Sequence, residues 1–150
     1  ITDSLVGSEM CIRDRIETFK GTYTTMSKEL SDDSYYILSF WATWCVPCIN
    51  ELDALNEVYD ELSKDLNFKV YAISTDDART KRRVRPLVNG KSWKFDVLLD
   101  ENHDLKRALN ISGLPHTIIA KQNEILHRRV GYAPGEELDL LEKLKDYEVE

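Results

Sequence analysis

The sequence predicts an α/β fold with a mixed central sheet and helices on both faces. Three observations predict it. Segments of strand and helix character alternate along the 150 residues, the order expected of a parallel core. The apolar run "YYILSFWA" (35–42), broken only by one serine, has the composition of a strand buried on both faces, and "FKVYAIS" (68–74) reads as a second buried strand. Near the end, "HTIIAK" (116–121) and "EILHRRVGY" (124–132) flank the turn signal "QN", so a hairpin adds antiparallel strands.

Each element has its own signal. "IETFKGTYTT" (16–25) has β-branched and aromatic residues around Gly21 and reads as a short hairpin or edge strand. "SDDS" (31–34) is a polar turn. After the first apolar run, Leu52, Leu55, Val58, Tyr59 and Leu62 recur at spacings of three and four, which predicts an amphipathic helix over 46–66. Pro47 falls in its first turn, where a missing N–H costs nothing. The stretch 76–90 reads as a helix, acidic at its start and with glycine past its end. Pro86 should kink or shorten it. "FDVLLD" (95–100) is a strand and "HDLKRALN" (103–110) a short helix. "GEELDLLEKLKDY" (135–147) closes the chain as a helix, with Leu138, Leu141 and Leu144 expected in the core. No repeat or linker appears, so residues 16–150 are read as one domain.

Residues 1–15 stand apart. "LVGSEMCIRD" (5–14) resembles the translation of a sequencing-library adapter, and no helical or strand period runs through it. The expectation is an artefactual segment in which Cys11 has no evolved role. The alternative is a real N-terminal tail.

Composition narrows the function classes. Hydrophobic residues at 42% and charged residues at 31% are ordinary for a water-soluble domain. A formal net charge of −7 argues against nucleic acid and anionic membrane surfaces as main partners. Three cysteines are too few for a disulfide-built scaffold. No export signal is visible in this stretch of chain.

Two of the cysteines sit together in "SFWATWCVPCINEL" (39–52), between a buried strand and a helix start. Backbone N–H groups and the helix dipole favour negative charge at such a place. They raise the thiolate fraction of Cys45, and the thiolate is the nucleophile in disulfide exchange. Cys48 lies within one turn and can close a disulfide. Trp41 and Trp44 are expected to rim the site with apolar area. A zinc site would need two further ligands; there is no second cysteine pair, and His103, His116 and His127 lack ligand spacing. No metal or cofactor is therefore expected. A purely structural disulfide in so short a loop would constrain little of the unfolded chain.

"FWATWCVPC" with "GLPHT" downstream resembles the thioredoxin superfamily, and most closely the TlpA/ResA-like thiol-disulfide oxidoreductases. The resemblance runs over roughly 16–147, and the helix and strand between 76 and 100 match that family's insertion. It implies that Cys45 is the attacking thiol and Cys48 the resolving one. It places Pro115 at the family's cis-proline, with the alternative an ordinary trans turn, and it leaves the backbone of Leu114 to pair with a substrate segment. His116 is expected to be a half-exposed strand residue rather than a base. Plain thioredoxins carry a buried aspartate in the preceding strand, where this chain has Ser39. The acidic candidate is Glu51, three residues after Cys48 and on the same helix face. In the ResA-like branch a glutamate there influences the thiols; the alternative is a solvated glutamate. The basic run Arg79, Lys81, Arg82, Arg83 and Arg85 reads as a solvated helix face or a docking patch for an acidic partner.

The resulting expectation is a thiol-disulfide oxidoreductase acting on protein disulfides as a reductant. Its setting by resemblance is the bacterial cell envelope, with cytochrome c maturation as a possible role. Its partners are protein disulfides or dithiols and an upstream electron donor, and it acts as a monomer. The competing expectation is a thioredoxin-like module that docks partners without turnover.

Overall fold

The computed structural model describes residues 15–122 and 124–149. The expectations about Cys11 and residues 1–14 lie outside the described residues. Arg15 lies inside them and pairs with Thr25 in the first hairpin, so the ordered sheet starts one residue earlier than expected.

The hairpin joins β1 (Arg15–Thr18) to β2 (Tyr23–Thr25), turning at Gly21, whose φ of 93° suits glycine. A single turn of helix, α1 (Met26–Glu29), follows; the Thr25 hydroxyl caps it by accepting the Lys28 N–H at 3.2 Å. One turn is too short to leave a period in the sequence. The first apolar run is β3 (Tyr35–Trp41), and α2 (Val46–Leu62) follows it. This helix ends four residues before the expected limit, where the Ser63 N–H closes the last turn on Tyr59. The second apolar run is β4 (Phe68–Ser74).

The stretch 76–90 departs from expectation. Its first residues form a loop, Lys81–Arg83 make a 3-10 turn, and α3 occupies only Val84–Lys91. Pro86 therefore lies in the first turn of the helix and does not kink it. Gly90 is inside the helix, and the chain leaves it through Ser92 at φ 57°. The remainder is β5 (Asp96–Leu99), α4 (Asp104–Ala108), β6 (His116–Lys121), β7 (Glu124–Val130) and α5 (Glu136–Val149).

The seven strands form one sheet in the order β2-β1-β5-β4-β3-β6-β7. Strands β3, β4 and β5 are parallel, and the rest join antiparallel. Side chains alternate across the sheet. Ile37, Trp41, Ala72 and Ile119 face Leu52 and Leu55 of α2, Val84 and Val88 of α3, and Leu140, Leu141 and Leu144 of α5. Tyr36, Leu38, Phe40 and Ile118 face the other way, onto Met26 of α1 and Leu105 of α4. The expected mixed sheet with helices on both faces is thus present. Leu138 is not core: it is 54% exposed, and Leu140 takes its place. The helix is rotated relative to the leucine spacing that suggested otherwise.

Candidate active site

The interior strand β3, between β4 and β6, delivers the chain to the site. Trp41, its last residue, has its carbonyl held by the Thr75 N–H at 2.8 Å and the Thr75 hydroxyl at 3.2 Å. Four residues on, Cys45 caps α2. Its backbone is extended, its N–H donates to the Ala42 carbonyl at 3.0 Å, and its Sγ accepts the Cys48 N–H at 3.3 Å. Pro47 occupies the first turn without disturbing that geometry. The two cysteines are joined as a disulfide with Cα atoms 5.3 Å apart. Cys45 keeps 7% of its surface and Cys48 none, so an incoming sulfur can reach only the first.

The two tryptophans separate. Trp44 is 60% exposed and forms the rim. Trp41 is fully buried, packed edge-on against Trp93 at 5.3 Å between centroids. It supports the loop from beneath and is not a rim residue, because strand alternation points it into the α2 face of the core.

The Leu114–Pro115 peptide is cis. Phe40 pairs with His116 across β3 and β6, and continuing that register sets Pro115 beside Trp41, at the end of the strand that leads into the cysteine loop. The Pro115 carbonyl accepts the Gly131 N–H at 2.7 Å. The Leu114 N–H and carbonyl make no backbone hydrogen bond among the described residues. His116 is buried, contrary to the half-exposed expectation. It points to the face opposite α2, alongside Ile118, where Arg128 Nη1 donates to its Nε2 at 3.4 Å. Burial first, and the Arg128 charge second, hold its pKa below the ordinary value. It is placed away from the helix that bears the disulfide.

Glu51 is 1% exposed, which excludes the solvated alternative. Ser39 and Thr117 lie directly opposite each other on β3 and β6, on the face that meets α2. The Thr117 hydroxyl lies 3.1 Å from both carboxyl oxygens, and Ser39 Oγ donates to one at 3.5 Å. No cation pairs with the carboxyl among the described residues. Burial pushes its pKa up to about 7, against the milder downward pull of the Thr117 hydroxyl and the Arg129 charge. Cys48 and Glu51 are three residues apart on α2, hence on one face. The acid in this part of the core is thus carried by α2, and the β3 residue that faces it is Ser39.

In the sequence Asp76 has the look of an acidic helix start. It is buried, and its carboxylate accepts the Thr43 N–H at 3.0 Å and the hydroxyls of Thr43, Ser74 and Thr80, each at 2.7 Å. It ties the loop before Cys45 to the loop after β4. The doublet "DD" after a buried strand was the available signal, but a cap and a tether look alike in sequence. Thr117 was missed for a similar reason: only strand pairing brings it to Glu51, 66 positions away.

The basic run divides by function of position. Lys81 is held by Glu17 at 2.5 Å and Glu101 at 2.9 Å, and the Arg85 guanidinium lies over the Phe19 ring at 4.6 Å. Among the described residues no three His, Cys, Asp or Glu side chains converge as metal ligands do. No described helix is long and apolar enough to cross a membrane.

Comparison with known proteins places this geometry. A sequence model of the AhpC/TSA family matches residues 13–129. Thiol-disulfide oxidoreductase ResA of Bacillus thuringiensis (strain Al Hakam) is 29% identical over 103 residues, covering 68% of this chain and 58% of that protein. The chain thus spans little more than half the length of that relative. An uncharacterized thioredoxin-like protein from Porphyromonas gingivalis superposes with a TM-score of 0.77 at 33% identity, over 88% of this chain and 87% of that one. StoA from Bacillus subtilis shares the fold, with a TM-score of 0.67 at 22% identity, over 84% of this chain and 92% of that one. With a cis-proline strand beside a Cys-x-x-Cys helix cap and a glutamate behind the second cysteine, the chain belongs to the AhpC/TSA family, as a TlpA/ResA-like member of the thioredoxin superfamily.

Proposed function

We propose that the protein is a thiol-disulfide oxidoreductase that reduces disulfides in protein substrates. The observation that carries this reading is the Cys45–Cys48 pair at a helix cap, with Cys45 reachable, Cys48 covered and a near-neutral carboxyl behind it. In the reduced protein the Cys45 thiolate attacks one sulfur of the substrate disulfide. A mixed disulfide forms and the other substrate sulfur leaves as a thiolate, which takes a proton from solvent. Cys48 then gives its proton to the Glu51 carboxylate and attacks Cys45 Sγ. The mixed disulfide breaks, the second substrate sulfur leaves as a thiolate and is protonated from solvent, and the Cys45–Cys48 disulfide is left. Two electrons have passed to the substrate, and an upstream dithiol donor must return two to the protein.

Trp44 offers apolar surface beside the reacting sulfur, and Leu114 offers an N–H and a carbonyl to an extended substrate segment. Pro115 holds that segment at the end of β6. The setting proposed with this activity is the bacterial cell envelope, with cytochrome c maturation as one role and the protein acting as a monomer, in line with the family resemblance of the sequence. Turnover of insulin with a dithiol reductant tests the activity: steady reduction is expected, and none would leave a docking module. Cys48→Ser should accumulate a mixed disulfide through Cys45, and Cys45→Ser should accumulate none. Mass spectrometry of captured complexes checks the order; adducts on Cys48 in the Cys45→Ser protein would reverse the roles.

A further inference from the structure

An open groove of about 590 Å³ runs from the active-site rim across the loop after β4. Trp44, the residue before the reactive cysteine, forms one wall. Thr75, which holds the Trp41 carbonyl, and Thr80, which is tied to Asp76, form the floor. Arg79, Arg83, Asp77 and His103 complete it. The groove is therefore continuous with the loop that presents Cys45.

Its charge is the informative property. Five of the chain's 20 basic residues fall within 79–85, in a protein of net charge −7. Lys81 is satisfied by Glu17 and Glu101, and Arg85 lies over Phe19, outside this groove. Arg79 and Arg83 are the two that line it. Arg79 contacts Asp77 at 3.3 Å with its own side chain largely in solvent, a pair that water screens. Arg83 has no acidic partner among the described residues. The groove holds two guanidinium groups against one carboxylate, while the molecule as a whole repels anions. An acidic chain is thus disfavoured over most of the surface and favoured here.

We infer that this groove binds an acidic segment of the substrate polypeptide next to the disulfide being reduced. The inference rests on the oxidoreductase reading for the word substrate, and on the groove's own residues for the binding. Aspartate or glutamate side chains a few residues from the substrate cysteine reach Arg79 and Arg83, while the flanking backbone lies on Trp44 and the Thr75–Thr80 floor. Guanidinium forks suit carboxylates in this role.

The test uses two matched disulfide peptides, one with Asp and Glu flanking the cysteine and one with Asn and Gln. The protein should prefer the acidic peptide by roughly fivefold in kcat/KM, the scale of two exposed charge contacts. The preference should shrink as salt is raised. In the Arg79→Gln/Arg83→Gln protein the acidic-to-neutral ratio should fall to about one. Equal rates for the two peptides in the native protein would overturn the inference, as would a ratio that survives the double substitution. A fluorescent acidic peptide without cysteine, titrated against the oxidised protein, reads the groove independently of turnover. Salt-sensitive binding lost in the double variant supports the site even if no disulfide is reduced, and would then count against the enzymatic reading alone. Binding that persists in the variant overturns the site.

Discussion

Glu51 is a carboxyl without a cation, held by two hydroxyls beneath a disulfide, and that environment sets when it can take a proton. At a pKa of about 7 it is partly ionised at neutral pH, which is the condition that the proposed exchange of a proton with Cys48 requires. When ionised it also opposes a second negative charge on Cys48. Glu51→Gln keeps the shape and removes the titration. In the reduced protein the alkylation rate of the thiols against pH should lose an inflection near 7, and resolution of the mixed disulfide should slow several-fold, toward the low end of typical acid–base contributions. Superimposable profiles for the two proteins would show that the carboxyl handles no proton. The cysteines and Pro115 were legible in the sequence because their residue types carry the message. The burial of Glu51 was not, since it depends on Ser39 and Thr117 meeting across two strands.

The same limit governs the elements. Strands β3 and β4 matched their sequence signals closely because short, mostly apolar runs have few other uses, and β6 did so because the turn signal after it marks a hairpin. The 76–90 stretch misled because Asp76, an acid at an apparent helix start, instead bonds outward to Thr43, Ser74 and Thr80. Asp76→Ala would strand those buried donors. A loss of roughly 2–3 kcal/mol in urea unfolding is expected, since several unsatisfied groups replace one network. Faster hydrogen exchange at Thr43 and slower attack by Cys45 should accompany it, whereas Asp76→Asn, which keeps one acceptor, should do less harm. Unchanged exchange at Thr43 would mean that the loop holds itself. In α5 the leucine spacing alone could not fix rotation about the helix axis. Leu144→Ala, at a fully buried position, should cost about 2–5 kcal/mol. Leu138→Ala, at an exposed one, should stay within about 0.5 kcal/mol by the same measurement.

At the scale of the whole molecule, the buried titratable groups pull stability in opposite directions with pH. Glu51 is raised from 4.5 to about 7 by burial, so its contribution is fully present below 4.5 and is lost as pH rises through 7. Asp100, also raised by burial despite the N–H groups of Leu105 and Lys106, acts with the same sign. His116 and His127 are lowered, chiefly by burial, from 6.5. Their contribution is present above 6.5 and is lost as pH falls through their lowered values. The native protein should therefore be most stable in mildly acidic solution, between the region where the histidines must be charged and the region where Glu51 must be. The Glu51 share can be isolated, because Glu51→Gln changes only one of these groups. The amide can still accept from Thr117 and can donate to its oxygen. Relative to the native protein, the variant should gain roughly 3–4 kcal/mol between pH 4.5 and pH 8, because burial lifts the carboxyl from 4.5 to about 7 and each tenfold change in proton affinity is worth about 1.4 kcal/mol. The gain should be concentrated between pH 4.5 and 7, and the optimum should move toward alkaline pH. Denaturant unfolding of the oxidised protein at a series of pH values checks this without interference from thiol ionisation. A stability difference that stays flat across that window would mean that Glu51 titrates normally, and the proton-handling role assigned to it would fall with it.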